Sequence, residues 1–162
     1  MAKMQVTGLD TLSAKLRSLG DAGEAIARAA LYDGAAVLAD KIRENIKALP
    51  EDDAKWLSGD EQYNVITKAD KQDLLDHLGI ATMRSTGGQI TTLVGFNGYG
   101  SKPTRKYPQG KPMPMIARSI ESGSSVRRKH PFVRPTVNAF KNQIKEKMAE
   151  TARELISKRM EG

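Results

Sequence analysis

The feature that most constrains the fold is a long apolar stripe in the last quarter of the chain. Its members recur at steps of three and four residues, the spacing of one face of a helix: Val137, Phe140, Ile144, Met148, Ala152, Leu155 and Ile156. The opposite positions carry lysine and glutamate, and the heptads are not strict enough for a coiled coil. The pattern predicts an amphipathic helix of about six or seven turns, and its apolar face has to pack on the rest of the chain.

Two further helical patterns lie in the first third of the chain. Leu9, Leu12, Leu16 and Leu19 predict a helix that Gly20 ends, after a short strand at 4–7. The alanine-rich residues 24–49 predict a longer helix, ended by Pro50. Gly34 lies inside it and costs about 1 kcal/mol relative to alanine. It predicts a kink or a close contact at that point.

The middle of the chain predicts a short helix and a β-hairpin. Asp70 is placed to cap a helix over 71–78 that Gly79 would end. Residues 80–84 and 90–96 are rich in β-branched and apolar side chains, and the glycine-containing segment 85–89 separates them, as in a hairpin. We therefore predict one α+β domain over 1–162. Long N-terminal and C-terminal amphipathic helices pack in it on a small antiparallel sheet with a β-hairpin and a long basic loop.

Two segments have the composition of loops. Residues 51–62 are acidic and contain Trp56, the single tryptophan, which is either a lid on the core or an interface anchor. Residues 97–115 contain four prolines and three glycines, a composition that does not maintain a helix or a central strand. A basic loop of this length is usually mobile or functional.

The segment 116–140 combines a helical turn, a glycine, a basic cluster and two prolines. Ile116, Ala117 and Ile120 share one helix face, and Gly123 is placed to end the helix. Pro135 is suited to the first turn of the last helix. Phe132 and the valine after it are then left as an apolar plug in an extended linker.

Charge is distributed unevenly along the chain. The net charge of +7 is the balance of −4 over residues 1–80 and +11 over 81–162, and residues 102–134 hold nine basic residues against one acid. A block of one sign faces water, phosphate or an acidic protein surface, because unpaired buried charge is too costly. Aromatic residues are only 5% of the chain, which argues against a stacking platform for single strands.

Composition also restricts location and chemistry. Apolar runs are too short to span a bilayer, and the N-terminus lacks the apolar core of a secretory signal, so we expect synthesis in a cytoplasm. With no cysteine there is no disulfide, thiol nucleophile or cysteine-ligated metal. His77 and His130 lack metal-binding spacing. The acid pairs Asp52/Asp53 and Asp73/Asp76 could hold a divalent ion. The simpler interpretation is that both pairs are solvated, the first on a polar loop and the second on the outer face of a helix. We therefore predict no enzymatic activity, cofactor or metal.

The ordered motifs resemble a known family. An N-terminal G-L-x-x-L-x-x-x-L segment from Gly8, an alanine-rich helix, and a late I-x-x-x-I-E-x-G-S-S followed by H-P-F-V-R-P are similar to the HK97 gp10-like proteins of tailed bacteriophages. The sharpest matches are Glu121, Gly123, Ser124 and residues 131–135. The family usually has an aromatic residue and an alanine where this chain has Ser122 and Thr136.

The resemblance implies a non-enzymatic virion protein of the head-to-tail neck, also described as a tail-completion protein. Such a subunit would be made in the host cytoplasm. It would assemble as a ring, with a hexamer expected, between the head-closure protein and the tail terminator or tube, and DNA would pass through it. Rings are closed by heterologous contacts between copies.

Two sets of residues are candidates for contacts in that ring. The expected subunit or partner interface comprises Asp52, Asp53, Trp56, Glu121, Gly123, Pro131, Phe132, Arg134 and Pro135. The expected contacts with DNA or with the acidic 51–61 segment of a neighbour are Lys102, Arg105, Lys106, Lys111, Arg127, Arg128 and Lys129. Two other interpretations stay open, a stand-alone basic DNA-binding protein and a nuclease-like enzyme that uses the acids above.

Overall fold

Two long helices form the framework of this computed structural model, which describes residues 20–51, 66–125 and 127–160. The elements in chain order are α1 (Asp21–Ala48), α2 (Lys68–His77), β1 (Leu78–Ile80), β2 (Arg84–Thr86), β3 (Gln89–Thr91), β4 (Val94–Phe96), α3 (Met113–Ser122) and α4 (Arg134–Met160). The fold class is α+β, as predicted. The predicted strand at 4–7, the leucine-rich helix before Gly20 and residues 52–62 lie outside the described residues. No described helix is long and apolar enough to cross a membrane.

The two long helices pack along each other in opposite directions. Their packing includes Ile144, Met148 and Ala152 of α4, all of which are buried. A Cβ atom at Gly34 would lie 2.5 Å from Cγ of Met148, so any side chain there would force the Met148 side chain or the helices to move. Of the two outcomes predicted at Gly34, the structure contains the close contact.

Polar pairs fix the register of this helix pair on either side of Gly34. The Thr151 hydroxyl donates to the Asp33 carboxylate at 2.7 Å, and the Asn45 amide donates to the Thr136 hydroxyl. That hydroxyl in turn donates to the backbone carbonyl of Phe132 at 2.6 Å. Because each hydroxyl or amide has a partner, these polar groups can be buried or half-buried without a large desolvation cost.

The four strands form one long hairpin in two parts. β1 pairs with β4 and β2 pairs with β3, both antiparallel. The register shifts by one residue between the two parts, so that 81–83 lie opposite 92–93, an arrangement that resembles a bulge. Gly87 and Gly88 both have positive φ, as a tight two-residue hairpin turn requires. The hairpin is confirmed, but the connection is shorter than the predicted 85–89.

The boundaries of α2 differ from the prediction. Thr67 is the N-cap: its hydroxyl accepts from the Asp70 N–H, and the Asp70 carboxylate accepts from the Thr67 N–H, both at 3.1 Å. Asp70 is therefore the third helical residue of a capping box and not the cap. Gly79 does not end the helix, because the chain enters β1 directly at Leu78 and Gly79 pairs with Gly95.

The core lies between the helices and the β1–β4 ladder. It includes Phe132, which is 2% exposed and packs edge-on against Phe96 with ring centroids 5.9 Å apart. This confirms the predicted apolar plug. Helix α4 begins at Arg134, one residue before Pro135, and the C=O of Val133 accepts the first intrahelical hydrogen bond, from the Val137 N–H.

The loop after β4 ends earlier than predicted, because α3 begins at Met113 and Pro114 lies in its first turn. The N–H of Gly100 donates to the Lys111 carbonyl, and the N–H of Met113 donates to the Gly98 carbonyl, both at 2.9 Å. These bonds tie the two ends of the loop together.

Candidate functional site

Residues 116–135 fold around the carboxylate of Glu121 at the end of α3. Its Oε2 atom accepts hydrogen bonds from the backbone N–H groups of Phe132 and Val133 at 2.7 and 2.8 Å. Its Oε1 atom accepts from the N–H of Arg134 at 2.9 Å. Glu121 thus satisfies three N–H groups at the start of α4 and places a negative charge at the positive end of that helix.

A short loop connects the two elements that Glu121 joins. Gly123, with φ of 76°, ends α3, and a Cβ atom there would lie 3.2 Å from the Arg127 carbonyl. Ser124 and Arg127 then face each other across a tight turn, in which the Ser124 N–H donates to the Arg127 carbonyl at 2.9 Å. The His130 N–H donates to the Ile120 carbonyl at 2.7 Å and closes the loop. Its backbone is therefore held at both ends.

Arg127 stabilises this loop from within. Its guanidinium donates to the Ser119 hydroxyl at 3.2 Å and forms an ion pair with Asp70 at 3.5 Å. Both charged side chains of that pair are about 15% exposed. Arg127 therefore attaches the loop to the start of α2, whereas Arg128 and Lys129 remain exposed beside it.

Another basic turn lies earlier in the chain, in the loop between β4 and α3; we call it the first turn and the turn at 124–127 the second. Thr104 and Tyr107 exchange backbone hydrogen bonds of 2.9 and 3.0 Å, which leaves Arg105 and Lys106 exposed at the tip. Lys102, just before the turn, donates to the Thr67 hydroxyl at 3.0 Å. This turn is therefore also attached to the N-terminal end of α2.

Asp73 of α2 binds the same loop at Ser101, the residue before Lys102. Its Oδ2 atom accepts from the Ser101 N–H at 2.8 Å and from the Ser101 hydroxyl at 3.0 Å. Asp73 is only 7% exposed, so the expectation that it lies on an outer, solvated helix face is wrong. A carboxylate can be buried here because it accepts these two hydrogen bonds.

The capping box of α2 brings the two turns together. The Thr67 hydroxyl accepts a hydrogen bond from Lys102, which lies beside the first turn. The Asp70 carboxylate forms an ion pair with Arg127, in the loop that contains the second turn. We call the exposed cations in and beside these two turns the two-turn basic surface: Lys102, Arg105, Lys106, Arg128 and Lys129. Neither turn contains an acidic residue, and none of the exposed large apolar residues in the described part of the chain lies in them.

These properties indicate what the surface can bind. Cores of protein interfaces are depleted in charged residues, whereas this surface consists of five cations, and the one aromatic residue of the turns, Tyr107, is half-buried. Lysine and arginine on an open, polar surface match phosphate groups and carboxylates, without any group arranged to read bases. Lys111, the remaining predicted contact, is half-buried and lies outside the surface as defined.

The predicted interface residues fall into three groups. Phe132 is buried, and Glu121 and Gly123 are half-buried parts of the loop framework. Three are exposed, two of them in the first turn of α4 and one just before it: Arg134, Pro135 and Pro131. Asp52, Asp53 and Trp56 lie outside the described residues.

The sequence interpretation missed the supports of the two turns. Thr67 and Asp70 fit the capping-box pattern, threonine followed three residues later by an acid, and that signal was present in the sequence. Asp73 had no comparable signal, because its partner Ser101 lies 28 residues away in the chain. Within the described ranges, no group of three or more histidine or acidic side chains is arranged to hold a metal ion.

No family model, curated protein or solved structure matches this chain. Function is therefore inferred from the chain's own motifs and geometry.

Proposed function

We propose that this chain is a structural, non-enzymatic virion protein of the head-to-tail connector of a tailed bacteriophage. It assembles as a ring, with six subunits expected, between the head-closure protein and the tail terminator or tube, and packaged DNA passes through the ring. The family resemblance of the motifs from Gly8 to Pro135 is the basis of this proposal.

The observation that supports it best is that the residues with the clearest resemblance, Glu121, Gly123 and 132–134, form one connected structural unit. Glu121 and residues 132–134 are eleven or more positions apart, yet the carboxylate of the first binds the backbone of the others. Gly123 provides the turn between them. The residues that carry the resemblance therefore form one structural unit that positions a basic loop, and this unit supports the proposal.

The two-turn basic surface supplies the contact that a connector subunit needs. In one arrangement it faces the conduit and neutralises phosphates without reading sequence. In the other it meets the acidic 51–61 segment of the neighbouring subunit and helps to set the register of the ring. Because both arrangements use the same cations, only an experiment distinguishes between them.

Charge reversal distinguishes the two arrangements. Arg128 and Lys129 are replaced by glutamate, and Arg127 is kept because its ion pair with Asp70 holds the loop. If the neighbour is the partner, assembly is lost and reversal of Asp52 and Asp53 restores part of it. If DNA is the partner, rings form normally but particles retain less DNA. Rings and particles that both stay unchanged contradict any role for this pair.

A matched control uses two exposed lysines on α4, Lys141 and Lys145. Their reversal to glutamate changes the net charge by the same amount as reversal of the loop pair, but it lies outside the two-turn basic surface. Assembly and DNA retention should remain as in the unmodified protein. An equal loss in the control would mean that total charge, and not this surface, is responsible.

Particle assembly tests the proposal in the phage that encodes the chain. Without the protein, filled heads and finished tails should accumulate separately, and supply of the protein should restore joined particles. Joined, infectious particles in its absence would refute a connector role.

The second candidate function is a stand-alone basic DNA-binding protein. The two-turn basic surface favours it, because five exposed cations on two turns that contain no acidic residue suffice for salt-dependent contact with duplex DNA. In that case the isolated monomer binds duplexes of any sequence, with an affinity that falls steeply as salt increases.

A further inference from the structure

A groove separate from the two-turn basic surface lies between α3, β4 and the start of α4. Its volume is about 640 Å³. Buried apolar side chains line it, and they belong to three different elements: Ile42, Val94, Phe96 and Ala117. Nothing in the sequence pattern predicts the groove, because its residues are distant in the chain.

Two arginines border the groove. Arg118 of α3 and Arg134 of α4 are both exposed lining residues. Neither guanidinium forms an ion pair with any other residue of the described ranges. The one acid in the lining, Glu121, is already engaged by three backbone N–H groups. The groove therefore presents two cations that are available to a carboxylate.

Two further lining residues suit a protein segment. Met115 is 46% exposed and is one of three exposed large apolar residues in the described part of the chain. Methionine adapts its shape to different partners and is common at binding surfaces. Gly95, in the middle of β4, has no side chain and lets another backbone approach the strand.

We propose that this groove binds an extended segment of a partner protein that carries a bulky apolar side chain next to a carboxylate. The apolar side chain lies on the floor against Phe96 and Ala117, and the carboxylate pairs with Arg118 and Arg134. Arginine suits this role because its planar guanidinium binds a carboxylate through two parallel hydrogen bonds. The apolar floor distinguishes this groove from the two-turn basic surface, which consists of exposed cations alone. This inference does not depend on the connector function.

Matched peptides test the charge requirement. The probe is a fluorescein-labelled Asp-Trp-Leu-Asp amide, and its control has lysine in place of both aspartates. Fluorescence anisotropy should show the acidic peptide binding at least about fivefold more tightly, the effect expected of two partly exposed ion pairs. Replacement of both arginines, Arg118→Glu with Arg134→Glu, should reverse the preference.

Controls keep the test decisive. Lys145→Glu with Arg153→Glu alters two exposed cations further along α4 and changes the net charge equally, so the peptide preference should persist. If the double reversal disturbs folding, the milder Arg118→Ala with Arg134→Ala should still abolish the preference. Amide chemical shifts at Gly95 and Ala117 should move with the acidic peptide.

Three results would overturn the proposal. One is equal binding of both peptides, and another is a preference that survives loss of both arginines. The third is binding that leaves the amides of the groove unchanged. A duplex oligonucleotide that shifts those amides while the acidic peptide does not would assign the arginines to phosphate and likewise overturn it.

Discussion

Removal of the Glu121 side chain tests the structural unit on which the proposed function depends. In Glu121→Ala, three backbone N–H groups at the start of α4 lose their acceptor. A hydrogen bond to a charged group contributes about 1.5 to 3 kcal/mol. Three such bonds do not add fully, because water reaches this half-buried site and replaces part of them. We expect a loss of about 3 kcal/mol in the free energy of unfolding, above the usual cost of a lost cap.

Glu121→Gln divides this loss according to the geometry. The amide oxygen can occupy the position of Oε2 and keep the bonds from Phe132 and Val133, while the amide NH₂ faces the Arg134 N–H and cannot accept from it. One bond is lost and the charge at the helix start disappears. The expected cost is about 1 to 2 kcal/mol.

Urea and thermal unfolding measure both variants against Glu146→Ala, which removes an exposed glutamate of α4. The control should change stability by less than about 0.5 kcal/mol. The alanine variant should lower the melting temperature by about 6 to 12 °C, and the glutamine variant should fall between it and the unmodified protein. An alanine variant as stable as the control would refute the account of Glu121.

Three further predictions concern the supports of the fold and of the first basic turn. Gly34→Ala should destabilise by about 1 to 3 kcal/mol in urea unfolding, since its methyl group overlaps Met148; equal or higher stability would exclude the close contact. Phe132→Ala should cost about 3 to 5 kcal/mol by the same measurement, and a near-neutral effect would exclude its burial. Asp73→Asn should weaken the hold on Ser101 and speed trypsin cleavage after Arg105 and Lys106, the basic residues of the loop between β4 and α3 that do not precede proline; unchanged cleavage would show that the loop does not depend on Asp73.

The sequence predicted the elements whose signals are local. The apolar stripe of α4 and the hairpin follow from periodicity and from Gly87 and Gly88, which supply the positive φ of the turn. The apolar pair after Pro131 predicts a plug, but the sequence does not decide whether Phe132 packs in its own chain or in a neighbour; the structure buries it against Phe96. Boundaries were less accurate where two signals competed: Asp70 fits an N-cap, but Thr67 three residues before it completes a capping box and starts the helix earlier.

The candidate site was predictable only in part, because its supports are contacts between distant positions. The basic residues of the turns are visible in the sequence, yet the sequence alone does not distinguish Arg127, which pairs internally with Asp70, from its exposed neighbours. The same limit applies to Glu121, whose partners lie in the next helix. The apolar groove arises from α1, β4, α3 and α4 together, and no local pattern marks it.

The mass of the purified protein in solution tests the connector proposal most directly. Light scattering would be recorded for the protein alone and with its head-closure and tail partners, over a range of salt concentrations. The account predicts a discrete ring, formed either freely or on addition of a partner. A monomer that persists with those partners and instead binds duplex DNA would contradict it and favour the stand-alone DNA-binding protein.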